Sequence, residues 1–141
     1  MRVVLDTGIL IAALITSNTP PDLIYQAWRK KRFTLITSEW QLSEFRRVSR
    51  YPRVRRYLQP SEAGTLVNGL RREATVLTAL SEIELSSDPD DNPVIATAIA
   101  GEAQYLVTGD KRDLLPLGSV QGIQIVTAAD FAEVLDIATK G

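Results

Sequence analysis

Short apolar runs alternate with segments of helical periodicity along this chain of 141 residues. The runs are rich in β-branched and other apolar side chains, which predicts buried strands at 2–6, 33–36, 75–77, 105–108 and 123–126. Helices are predicted at 9–15, 22–31, from 38 to a break at 49–53, 61–73, 92–102 and 127–137, with shorter turns at 54–58 and 111–115. This alternation requires right-handed crossovers. We therefore predict one α/β domain over residues 1–141, a three-layer α/β/α sandwich with a mainly parallel central sheet.

Two acidic residues come directly after predicted strands. Asp6 ends the first strand, and Asp110 follows the strand at 105–108 across a glycine. In open parallel sheets, sites form at the carboxyl ends of the strands. Both carboxylates are therefore expected at one edge of the sheet.

On the final helix, the periodicity predicts that these residues face the core: Phe131, Val134, Leu135 and Ala138.

The stretch Asp88-Pro-Asp-Asp-Asn-Pro-Val-Ile precedes the helix at 92–102 and contains three carboxylates, Asp88, Asp90 and Asp91. Pro93 suits the first turn of a helix, and Asp91 or Asn92 can cap its free amides. Asp91 also lies one turn before Ile95, at the inner edge of the apolar stripe. Helix capping is the alternative to a functional role for all three acids, and it is strongest for Asp88 and Asp90.

A fourth carboxylate, Glu44, lies on the helix that begins at Ser38. Trp40, Glu44 and Val48 are one turn apart, so Glu44 points where apolar residues point. An ionised carboxylate there is unfavourable unless a cation or hydrogen-bond donors meet it. The alternative is a glutamate at the edge of the stripe that reaches water.

The chain has no cysteine and no histidine, which excludes disulfides, thiolate metal sites and every histidine-based triad. If Asp6, Glu44, Asp91 and Asp110 converge within about 5 Å, each like-charge pair costs ~3 kcal/mol at an effective dielectric of about 20. A divalent ion would relieve that repulsion, and all-oxygen ligation suits Mg²⁺ or Mn²⁺. Such a site hydrolyses phosphodiesters without a protein base. Thr7 and Thr108, beside two of these acids, are candidates for supporting roles.

Positive charge is concentrated between Arg29 and Arg56. This window holds ten Lys or Arg residues and two acids, a net charge of +8, which leaves −9 for the rest of the chain. A basic strip beside a cation site predicts a polyanion track, and the candidate residues of this track are Arg46, Arg47, Arg50 and Arg53. The alternative for any single arginine is a solvated helical face.

No apolar run has the length of a membrane span and no signal peptide is recognised, so a cytoplasmic protein without membrane contact is expected.

The chain resembles a PIN-domain nuclease, specifically the VapC-like toxin component of a toxin–antitoxin pair. The matching motifs are Val-Val-Leu-Asp6-Thr-Gly, Ser-Glu-Trp-Gln-Leu-Ser-Glu44, Asp-Pro-Asp-Asp91-Asn-Pro-Val-Ile-Ala-Thr-Ala and Tyr-Leu-Val-Thr-Gly-Asp110. The resemblance implies a PIN-like fold and a metal site made of Asp6, Glu44, Asp91 and Asp110. It also implies a Mg²⁺- or Mn²⁺-dependent endoribonuclease, a homodimer and a cognate antitoxin. Asn-Pro follows the third acid where the common motif starts its helix, which leaves Asp90 as a substitute for Asp91. Asp113 is a further acid with no assigned role.

Other functions fit the sequence less well. A haloacid-dehalogenase-like phosphatase has a second Asp two residues after the first, and this chain has Gly8 there. A receiver domain needs an acid at a mid-chain strand end, and a dinucleotide-binding domain needs a glycine-rich first turn. The serious alternative is a catalytically inactive PIN-like module that binds RNA or protein, which would not need all four acids.

Overall fold

A computed structural model describes residues 1–137, and their strands form one six-stranded sheet. The strands are β1 (Arg2–Leu5), β2 (Thr34–Ser38), β3 (Thr75–Leu77), β4 (Tyr105–Val107), β5 (Ser119–Val120) and β6 (Ile123–Val126). Their order in the sheet is β3-β2-β1-β4-β6-β5, and every pairing is parallel except that of β5 with β6. The mainly parallel sheet and the five predicted strands are confirmed.

Seven α-helices accompany the sheet within the described residues. They are α1 (Thr7–Ile15), α2 (Pro20–Arg29), α3 (Glu39–Ser49), α4 (Pro52–Arg55), α5 (Pro60–Glu73), α6 (Asn92–Ala100) and α7 (Ala128–Val134). Two 3₁₀ turns lie at Pro89–Asp91 and Leu115–Leu117. The helix predicted at 92–102 ends earlier because Glu102 has a φ of 52°.

The two faces of the sheet carry separate cores because successive strand residues point to opposite sides. Val3 and Leu5 of β1 belong to the larger core, which α1, α2, α3, α5 and α7 cover. Val4 belongs to the smaller core, which α6 covers with Val94, Ile95 and Ala98. The predicted α/β/α sandwich is therefore confirmed, with most of its helices on one face. In the part of the chain that the structure describes, no helix is long and apolar enough to cross a bilayer.

Two local predictions were wrong. Strand β5 was missed because it has only two residues and forms through a hairpin with β6, whose loop residues Gln121 and Gly122 both have positive φ. Val134 was expected in the core but is 42% exposed, because α7 ends at this residue and leaves it at the rim. Phe131 and Leu135 are buried as predicted, and Ala138 lies outside the described residues.

Candidate active site

Asp6 occupies the junction between β1 and α1. Its backbone N–H donates to the carbonyl oxygen of Val107 at 2.9 Å, which extends the pairing of β1 with β4. Its Oδ1 caps α1 by accepting the N–H of Thr7 at 2.8 Å, and its Oδ2 accepts the hydroxyl of Thr108 at 2.8 Å. Both oxygens of this partly buried carboxylate are therefore oriented at the carboxyl edge of the sheet.

Thr108 links Asp6 to Asp110. Its fully buried hydroxyl donates to Asp6 and accepts the backbone N–H of Asp110 at 3.0 Å. Asp110 accepts the N–H groups of Arg112 and Asp113 on Oδ1, each at 3.0 Å. The loop after β4 is thereby folded around this carboxylate, and Thr108 makes the contacts that a supporting role needs.

Glu44 on α3 reaches the same edge through Thr7. The buried hydroxyl of Thr7 donates to Oε1 of Glu44, which is itself partly buried. One turn earlier, buried Gln41 donates to the carbonyl oxygen of Leu5 at 2.5 Å and accepts the hydroxyl of Thr37 at 2.6 Å. These hydrogen bonds attach α3 to the ends of β1 and β2, which sets the position of Glu44 relative to Asp6.

Asp91 is the last residue of the 3₁₀ turn at Pro89–Asp91 and directly precedes α6, but its side chain does not cap that helix. Its side chain makes no capping hydrogen bond, and its buried Oδ2 has no hydrogen-bond partner among residues 1–137. Asn92 does not cap α6 either, because its Oδ1 accepts the N–H groups of Leu85 and Ser86 at 3.0 and 2.8 Å. The capping prediction was therefore wrong for both residues.

The other two acids of this loop behave differently. Asp88 is a cap, since its Oδ1 accepts the N–H of Asp90 at 3.0 Å. Asp90 is exposed, and its charge acts on Glu44. The structure thus gives Asp91, rather than Asp90, the buried and unpartnered carboxylate oxygen.

Asp91 and Asp110 share one electrostatic environment. Burial raises the pKa of Asp91 to about 7, together with a hydrogen bond to Asp110 and the charges of Asp110, Asp88 and Asp6. Burial also acts to raise the pKa of Asp110, but hydrogen bonds from the backbone of Asp113, from Asp91 and from the backbone of Arg112 outweigh it and lower that pKa. The two carboxylates therefore act on each other, and a cation between them would relieve the repulsion of their charged forms.

The remaining two acids are also shifted towards the neutral form. Burial raises the pKa of Asp6 against the hydrogen bonds from Thr108 and Thr7, and the charge of Asp110 adds to the increase. Burial likewise raises the pKa of Glu44, against the hydrogen bond from Thr7 and the charge of Arg47. The charge of Asp6 adds to the increase at Glu44, so these acids from four separate segments act on one another in pairs. Within the described residues, however, no three of Asp6, Glu44, Asp91 and Asp110 place carboxylate oxygens within 4.8 Å of one another.

Asp113 belongs to the same region, although no role was predicted for it. Carboxylate oxygens of Asp88, Asp91 and Asp113 lie within 4.8 Å of one another. One oxygen of Asp113 accepts the hydroxyl of Ser87 at 2.7 Å. The signal available in the sequence was its position three residues after Asp110, in the loop that the Asp110 carboxylate organises.

These residues suit a divalent cation. The donor set consists of carboxylate oxygens, which Mg²⁺ and Mn²⁺ prefer. The buried Oδ2 of Asp91 lacks the partner that a buried polar atom requires, and a cation would supply it. The charges of Asp110, Asp88 and Asp6 all raise the pKa of Asp91, which shows that negative charge is concentrated around this atom.

The four predicted RNA-binding arginines are all exposed on the second half of α3 and the segment after it. Arg47 and Arg53 each lie over the ring of Tyr51, at 5.9 and 5.8 Å from its centroid. Arg46 and Arg50 line a cavity of about 420 Å³ together with Arg55. Because the charge of Arg47 also acts on Glu44, this basic strip reaches the carboxylates.

The basic window does not form one surface, contrary to the simplest interpretation of its charge. Lys31 and Arg32 line a cavity with Met1 and Thr34, at the amino ends of β1 and β2. Arg29 pairs with Glu73 at 2.7 Å. Residues 29–32 precede β2 and therefore lie at the amino edge of the sheet. The carboxylates lie at the opposite edge, where α3 follows β2.

Without metal, the protein should lose stability as the pH rises from 3.8 to about 7 because of Asp91. Its pKa is higher in the folded than in the unfolded chain, so the folded state holds an additional proton in this window. The stabilisation that this additional proton gives is complete below pH 3.8 and is lost as the pH passes about 7. Melting temperatures in EDTA at a series of pH values should fall more steeply for the wild type than for Asp91→Asn. Parallel curves would contradict the shifted pKa.

The comparisons with known proteins identify a family, and two of the similar chains are described here. The model of the PIN domain family matches residues 2–112. The uncharacterized protein MJ1680 of Methanocaldococcus jannaschii is 28% identical over 118 residues, which are 83% of this chain and 75% of that protein. The crystal structure of VapBC2 from Rickettsia felis, bound to a DNA fragment from their promoter, contains a chain that superposes with a TM-score of 0.57. The superposition covers 90% of this chain and 98% of that chain at 15% sequence identity, so it shows a shared fold.

Proposed function

The chain belongs to the PIN domain family, and on that premise we propose that it is a divalent-metal-dependent endoribonuclease, the toxin of a toxin–antitoxin pair. The observation that carries this proposal is the unpartnered Oδ2 of Asp91 next to Asp110 and Asp6. A fold that gathers carboxylates and leaves such an atom unsatisfied loses stability unless a cation binds there. The basic strip beside the carboxylates supports a phosphodiester as the substrate.

We assign the metal to Asp6, Glu44, Asp91 and Asp110. When bound, Mg²⁺ or Mn²⁺ supplies charge neutralisation at the phosphodiester and a water of lowered pKa. Thr7 holds Glu44, and Thr108 holds both Asp6 and the backbone of Asp110, so these hydroxyls preserve the spacing of the ligands. Arg46, Arg47, Arg50 and Arg53 bind the flanking phosphates.

The partners of this protein are part of the same proposal. The structural relative from Rickettsia felis is a VapBC2 assembly. We propose a cognate antitoxin for this chain, and a homodimer as the form that the antitoxin inhibits. We also propose a cytoplasmic location, where such a protein would meet RNA and an antitoxin.

The proposal is tested by incubating a mixed-sequence single-stranded RNA pool with the protein in Mn²⁺, Mg²⁺ or EDTA. Cutting is expected with either metal and not with EDTA. In parallel, Mn²⁺ at 100 times its Kd should stabilise the fold by ~2.7 kcal/mol, since it binds only the folded state. That corresponds to a rise in Tm of roughly 5–10 °C for a chain of this size.

The combined result separates the candidate functions. Stabilisation by Mn²⁺ without cutting would indicate an intact metal site and a different substrate. A protein that neither cuts RNA nor responds to Mn²⁺ would be the inactive binding module, and the nuclease proposal would fail. The Glu133→Gln variant is a matched control, because Glu133 is an exposed acid on α7.

A further inference from the structure

A further cavity, of about 490 Å³, opens beside the carboxylates and is lined by none of the four proposed metal ligands. We call it the Trp40 cavity. Its apolar walls come from the first turn of α3, the segment after β3 and the two prolines around Asp91, and they include Trp40, Leu77, Leu80, Ile83, Pro89 and Pro93. The volume is within the range of ~300–1,000 Å³ that is typical of small-molecule sites.

The Trp40 cavity adjoins the carboxylate site on two sides. Trp40 precedes Glu44 by one turn on the same line of α3, which separates them by about 6 Å along the helix axis. Pro89 and Asn92, which also line the cavity, flank Asp91. A group in the cavity is therefore next to whatever the carboxylates bind.

The walls suit a flat aromatic group. The indole of Trp40 packs against the smaller core and is only partly buried, so part of it remains open to the cavity. Leu77 and Ile83 also pack against that core, which makes this wall firm. Aromatic side chains on firm supports are the platforms on which unpaired nucleobases stack in single-strand-binding proteins.

The polar groups of the cavity suit a base better than a phosphate. Glu82 and Glu84 are exposed carboxylates at its mouth, and they repel a phosphodiester but accept N–H donors. Asn92 adds an amide whose Oδ1 is already taken by two backbone N–H groups, which leaves its Nδ2 as a donor. By contrast, arginines line the cavity against the second half of α3, where phosphates are expected.

We propose that the Trp40 cavity binds one nucleobase of the substrate RNA, next to the phosphodiester at the carboxylates, and favours a base with an exocyclic amino group. Adenine, cytosine and guanine offer two N–H donors on that group, which matches two carboxylates, whereas the uracil edge offers one. The inference rests on the proposed function for the identity of the polymer. It makes Trp40, Glu82 and Glu84 the residues that determine specificity.

The test measures binding in EDTA, so that it does not depend on cleavage. Fluorescently labelled six-nucleotide homopolymers of A, C and U are titrated with the protein, and binding is followed by anisotropy. We expect the A and C polymers to bind roughly 10-fold more tightly than the U polymer. Trp40→Ala should weaken binding of A and C by roughly 10–100-fold, as expected for loss of base stacking, and Trp40→Phe should retain most of it.

Further variants separate the cavity from effects on folding. Glu82→Ala combined with Glu84→Ala, at two exposed positions, should reduce the preference for A and C over U while the aromatic platform remains. Tyr57→Ala removes an aromatic side chain that is 64% exposed and outside the cavity, and it should leave the preference unchanged. Equal binding of all three polymers, no binding of any, or a preference that survives in Trp40→Ala would overturn the proposal. Base-selective binding without cutting by the wild type would support the cavity and contradict the nuclease.

Discussion

Asp6→Asn should cut RNA roughly 10²–10⁴-fold more slowly than the wild type in Mn²⁺, because a bound metal contributes several kcal/mol to the barrier reduction and tenfold in rate corresponds to ~1.4 kcal/mol. The substitution keeps the shape of the side chain. Its oxygen can still accept the N–H of Thr7, and its amide can donate to the hydroxyl of Thr108. What it removes is the negative charge that would hold the metal with Asp91 and Asp110.

The same variant should melt at a higher temperature than the wild type in EDTA. Burial raises the pKa of Asp6, and the charge of Asp6 contributes to the raised pKa of Asp91, so both acids destabilise the metal-free fold when they are ionised. The measurement is a pair of thermal scans at a pH above 7, with Glu133→Gln as the charge-matched control. Full cleavage by Asp6→Asn would exclude Asp6 as a ligand, and an unchanged or lower melting temperature would mean that the acids do not repel one another.

Changing Arg46, Arg47 and Arg50 together to Ala should weaken RNA binding by roughly 10–100-fold, if each exposed arginine contributes ~0.5–1 kcal/mol. Each lost phosphate contact on a single strand flattens the slope of log K against log salt by about 0.7, so the three together should flatten it by about 2. Binding is measured in EDTA over a series of salt concentrations. Residual cleavage in Mn²⁺ should then be recovered at high RNA concentration, because the carboxylates are untouched.

The control for this variant removes the same charge from the opposite edge of the sheet. Lys31 and Arg72 line the cavity at the amino ends of β1 and β2, and Lys30 is adjacent. Glutamine at all three positions keeps a long side chain at Lys31, whose φ is 62°. This control should retain the salt slope of the wild type. If both triple variants flatten the slope equally, the effect is due to net charge and the strip beside Glu44 is not the RNA track.

Local patterns predicted most of the fold because they depend on near neighbours. Strand β1 is apolar and β-branched, and Ser38 accepts the N–H of Gln41 at 3.2 Å, as the capping-box spacing predicts. The helix expected at 22–31 begins earlier because Thr19 caps it, with prolines in its first turn. The wrong predictions concern places where strand pairing or a reversal of the chain determines the local structure, namely the two-residue strand β5 and the end of α7.

Three features of this protein follow from its amino-acid order: the succession of strands and helices, the absence of histidine and cysteine chemistry, and the acids that follow strands or begin a helix. How those acids are used depends on the folded chain. It made Asp88 a cap, left Asp91 with a buried unpartnered oxygen, added Asp113 and divided the basic window between two edges. These contacts join residues that are far apart in sequence. Thr108 donates to Asp6 across 102 positions, and such contacts arise when parallel strands pair and not from any local pattern.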